Sequence, residues 1–146
     1  MCVDGHWDDA VRIAERICAE VPDAPGGQAG RASKQTQCAR SRNTAYDGRA
    51  RFRAKAGDFD GAASDELRAQ QAANDLLAAE AAMRAALVDV GTPSGAMDMQ
   101  ARAQIPLTRR LIALAKLRLD AYRAHSMPDS DDETATQAGL PLPPPP

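Results

Sequence analysis

At 146 residues and a formal charge of −2, the chain has room for one hydrophobic core and offers no overall electrostatic case for nucleic acid or a membrane surface. Hydrophobic residues reach 44% but aromatics only 3%, so alanine supplies much of the apolar total and the expected core is thin, with closely approaching helices and modest stability. There is no apolar run of the roughly 18 residues that a membrane span requires, and no signal-peptide core follows Met1, so a soluble, cytoplasmic protein is expected.

Gly-His-Trp-Asp-Asp-Ala at residues 5–10 opens the first element. Trp7, Ala10, Val11, Ala14, Ile17, Cys18 and Val21 fall at helical spacing, with Asp8, Arg12, Glu15, Arg16 and Glu20 largely opposite, which predicts an amphipathic helix. Pro22 ends it, and Pro25, Gly26, Gly27 and Gly30 predict a loop. Residues 31–55 then hold eight basic side chains against Asp47 alone, a net +7. Few large apolar residues punctuate the first half of this window, so a flexible basic segment is expected at about 23–43, followed by a short helix from about Thr44 to Ala56.

Two long helices complete the pattern. The first, about 61–90, carries a stripe through Ala69, Ala72, Leu76, Met83, Leu87 and Val90; Asp60 or Ser64 is its candidate cap, Asp65 and Glu66 suit its positive end, and Gly91 with Pro93 stops it. The second, about 96–125, contains Pro106, where a kink or break is expected. Net charges of −3 over residues 61–90 and +4 over 107–125 favour an antiparallel hairpin. No strand is predicted. The fold class is therefore all-α: one helical domain over 1–126 and a disordered acidic, proline-rich tail over 127–146.

The opening hexapeptide recurs as Gly-Asp-Phe-Asp-Gly-Ala at residues 57–62. Gly5, Trp7, Ala10 and Pro22, with Ala14 and Ile17 inside, resemble the turn and second helix of a tetratricopeptide repeat; Gly57, Phe59 and Ala62 resemble it again, with Tyr46 and Ala50 in the preceding helix. The resemblance spans residues 5–22 and, in part, 43–69. It implies antiparallel helix pairs plugged by an aromatic. The two glycines stand 52 residues apart, however, whereas that family repeats about every 34. No ligand-binding residues carry over.

Little chemistry is legible. Cys2, Cys18 and Cys38 are odd in number and widely spaced, which predicts reduced, unpaired thiols; Cys2, His6 and Cys18 lack the paired grouping of a zinc site. There is no phosphate loop, nucleophile elbow or calcium loop, and the helical carboxylates are expected to be solvated, so no catalytic residue, metal or cofactor is assigned. The leading expectation is a non-catalytic protein-interaction or assembly module that meets another protein or a second copy through Leu107, Leu111, Ile112, Leu114, Leu117, Leu119 and Tyr122. The alternative is single-stranded nucleic-acid binding through Arg40, Arg42, Arg49, Arg51, Arg53 and Lys55, with an enzyme as a third reading.

Overall fold

The computed structural model describes the backbone of residues 3–89 and 95–128, and side chains over 5–85 and 103–128. Four helices make up almost all of it: α1 Val3–Ala19, α2 Gly27–Lys55, α3 Phe59–Asp89 and α4 Gly95–Arg123, with a 3₁₀ turn Val21–Asp23 between the first two. No strand occurs among the described residues. The all-α expectation holds. The tail beyond residue 128, the stop at Gly91 to Pro93 and Cys2 lie outside the described residues.

The basic window departs from expectation. It is not a flexible segment followed by a short helix; α2 runs unbroken for 29 residues. Its inward face is Thr36, Cys38, Ala39, Asn43, Ala45, Tyr46, Gly48, Ala50 and Ala54, which recur at helical spacing but, Tyr46 apart, are small or polar. A hydrophobic pattern built from such residues is faint. The polar ones are satisfied locally: Thr36 Oγ1 donates to the Ala32 carbonyl at 2.9 Å, and Asn43 Nδ2 donates to the Ala69 carbonyl of α3 at 3.0 Å.

α3 packs against both α2 and α4. Its buried side is Ala62, Asp65, Glu66, Ala69, Ala72, Ala73, Leu76 and Ala79, so small side chains do let the backbones approach. Thr108 of α4 meets Glu80 of α3, and His125 lies beside Asp60, so residues rising along α3 face residues falling along α4: the two are antiparallel. Pro106 does not break α4, which is helical on both sides of it.

Two helix ends close the same end of this assembly with the same device. After α2, the Asp58 N–H donates to the Arg53 carbonyl and the Gly57 N–H to the Ala54 carbonyl, with Gly57 at φ +86°. After α4, the Ser126 N–H donates to Ala121 and the His125 N–H to Tyr122, with His125 at φ +54°. Both are Schellman caps. The His125 ring also stacks on Phe59 at 5.7 Å between centroids. Asp58, rather than Asp60 or Ser64, caps α3: its Oδ1 accepts from the Gly61 N–H at 2.9 Å. Beneath these turns Ala50, Ala54, Ala62 and Tyr122 form a core cluster.

The two hexapeptides have different roles. Gly57 occupies a true turn, whereas Gly5 lies inside α1, which is already helical at Val3. Trp7 instead lies directly over Gly48 of α2, where even a methyl group would come within 2.0 Å of the indole.

Candidate functional site

Each of the inward-turned basic residues Lys34, Arg42, Arg49 and Arg53 of α2 meets an acid from a neighbouring segment. Toward α1, Arg42 donates from Nε and Nη2 to the two Glu15 oxygens at 2.9 and 2.8 Å, Tyr46 Oη donates to Glu15 at 3.0 Å, and Lys34 meets Glu20 at 2.9 Å. The Arg42 hydrogen bonds hold the Glu15 carboxyl below its usual value. Burial, and then the bond to Glu15, push the Tyr46 phenol up. One helical turn below Glu15, the side chains of Cys18 and Cys38 form a disulfide, with Cα atoms 4.7 Å apart.

Toward α3, Asp65 is buried and accepts three bonds, from Arg49 Nε and Nη2 and from Arg53 Nη1, all at 2.9 Å. Arg49 also reaches Asp8 of α1 at 3.0 Å, and hydrogen bonding to Asp65 raises its pKa further. The third group joins α2, α3 and α4. Arg118, with 8% of its side chain exposed, donates to Asp47 at 3.0 Å. Glu66 stands beside them with no exposed surface, and neither of its oxygens has a hydrogen-bond partner of normal geometry. Burial, and then the adjacent Asp47 carboxylate, push Glu66 up to about 10, with Arg118 and Arg51 only partly opposing. With its carboxyl held to about 10, Glu66 is neutral at pH 7. Burial, together with Glu66 and Asp47, likewise takes Tyr122 to about 12.

These acids correct the expectation of solvated helical carboxylates. Asp65 and Glu66 do lie near the start of α3, but they fall in register with Ala62, Ala69 and Ala72 and share their buried face. That register was the available signal, and the charge of the side chains hid it. The cysteines are a second correction. Cys18 and Cys38 are bonded to each other, because antiparallel packing of α1 on α2 brings together residues 20 apart in sequence. While so bonded, Cys18 is not free to act as a metal ligand beside His6.

The expected partner-binding face divides. Leu114, Leu119 and Tyr122 are core residues at 6%, 3% and 1% exposure and do not form a surface. Ile112 and Leu117 are half-buried. Leu107 and Leu111, one turn apart, remain outside at 40% and 36%. The division follows from α3, which covers the inner side of α4 and leaves the outer row bare.

The basic residues divide in the same way. Arg42, Arg49 and Arg53 are held in ion pairs within the chain. Arg51 is exposed, with Asp47 at 3.9 Å, and Arg40 and Lys55 face solvent. A shallow notch of about 390 Å³ opens at the α1–α2 turn, lined by Arg16, Glu20, Asp23, Pro25 and Lys34. It is lined by neither Glu66 nor Asp65. Among the described residues no three His, Cys, Asp or Glu side chains converge as metal ligands, and no helix is long and apolar enough to cross a membrane. No family model matches this chain, and no curated protein or solved structure matches it either, so the likeness to helical repeats rests on residues 5–22 and 43–69 alone.

Proposed function

We propose that this chain is a non-catalytic interaction or assembly module, and that its contact face is the outer row of α4. The observation that carries the reading is the exposure of Leu107 and Leu111 on consecutive turns, flanked by half-buried Ile112 and Leu117. Neighbouring exposed leucines of this kind suit a second apolar helix. The fate of the arginines supports the same reading over nucleic-acid binding: Arg42, Arg49 and Arg53 already neutralise Glu15, Asp8 and Asp65, which leaves fewer free cations for phosphates.

The simplest partner is a second copy. Light scattering across a concentration series tests it, comparing the native chain with a Leu107→Ser/Leu111→Ser variant. Both positions are exposed, so the double change should alter folding stability by less than about 1 kcal/mol. The native chain should associate and the variant should remain monomeric. A native chain that stays monomeric throughout, or a variant that associates equally well, removes this face as the site of self-association.

A further inference from the structure

We propose that the Cys18–Cys38 disulfide is a redox latch, which holds α1 as a removable cover over the basic face of α2. The two helices meet through a ladder in a single register. Asp8, Glu15 and Glu20 face Arg49, Arg42 and Lys34, with the disulfide set between the last two rungs.

The noncovalent hold of α1 is weak. Of its described side chains only Ala14 is buried; Trp7, Val11 and Ile17 are half-buried, and Ile13 is 54% exposed. The acids of the ladder are 41–54% exposed, and water-facing pairs of this kind hold an element loosely. By contrast, α2, α3 and α4 share the buried core and the Asp65 and Asp47 ion pairs. The covalent bond thus supplies a large part of what keeps α1 in place.

Reduction has a defined direction. The Cys38 side chain is buried and Cys18 is half-buried, so an incoming thiolate attacks the Cys18 sulfur and Cys38 departs as thiolate. A second thiol of the reductant then attacks the mixed disulfide, releasing Cys18. Two electrons pass to the protein, both cysteines take up protons, and the dithiol reductant leaves as its own disulfide. Opening exposes Lys34, Arg42, Tyr46 and part of the Arg49 guanidinium, which keeps its bonds to Asp65. In the chain-entropy picture, losing a cross-link that spans 20 residues raises the open population of the linked element roughly 10²-fold.

Trp7 is the sole tryptophan and lies on the α1–α2 interface, so its emission reports opening. The experiment compares the full chain in a Cys2→Ser background, oxidised with glutathione disulfide or reduced with dithiothreitol, by Trp7 fluorescence and amide hydrogen exchange. Cys18→Ser provides a permanently unlatched form. Reduction should shift the emission to the red and speed exchange in α1 by roughly 10²-fold, leave α3 and α4 protected, and reverse on reoxidation. Unchanged α1 exchange overturns the proposal. So does exchange that rises equally in all four helices, which would make the bond a staple of the whole fold, and so does failure of the two thiols to pair under oxidant.

Discussion

Replacing Glu66 by glutamine should stabilise this protein, and increasingly so as pH rises. In the unfolded chain the Glu66 carboxyl ionises near 4.5, whereas in the fold burial and Asp47 hold it to about 10. Between those values the folded state binds a proton that the unfolded state lacks. Stability therefore falls by about 1.4 kcal/mol for each pH unit, beginning near 4.5 and ending near 10. At pH 7 the accumulated penalty is about 3 kcal/mol. Glutamine has nearly the same shape and is neutral at every pH, so it removes the cost of keeping a proton on the buried carboxyl. The variant should match the native chain near pH 4 and exceed it by about 3 kcal/mol at pH 7. With a urea dependence of about 1.5 kcal/mol/M, that is a midpoint shift of about 2 M. The assay is urea unfolding of both chains at pH 5, 6, 7 and 8. A difference that does not grow with pH, or a glutamine variant less stable at pH 7, would refute a neutral buried Glu66.

Asp65 should behave oppositely, since it accepts three bonds from two arginines in a buried position. Asp65→Asn should cost about 3–5 kcal/mol, read as a lower urea midpoint, because two guanidinium groups lose their shared countercharge. Gly48→Ala should drive its methyl group into the Trp7 ring, red-shift the tryptophan emission and destabilise the chain by about 1–3 kcal/mol; an unshifted spectrum would contradict the Trp7–Gly48 contact.

The Asp65 prediction also shows why charge reversal at Arg49 or Arg53 is a poor probe of nucleic-acid binding. Both residues serve Asp65 inside the fold, so reversing either charge should lower stability and confound any change in binding. Arg40, Arg51 and Lys55 are the exposed members of that set and the better probes.

Several features were legible in the sequence by itself because their physical cause is local. Helical periodicity announced α1 and the two long helices, the glycine at 57 announced a turn, and the dominance of alanine announced close packing. Other features were settled only by tertiary contacts. The inward face of α2 is mostly alanine, glycine, cysteine, threonine and asparagine, which carries little hydrophobic signal until α1 and α3 pack against it. Leu107 and Leu114 are the same residue type on one helix, and the position of α3 alone makes one exposed and the other core. Asp65 and Glu66 are adjacent acids, yet Asp65 meets two arginines while Glu66 must keep its proton. Cys18 and Cys38 meet because two helices run antiparallel. Sequence patterns report what one helix requires of its surroundings; which neighbour meets each side chain depends on how separate helices pack, and no local pattern encodes that.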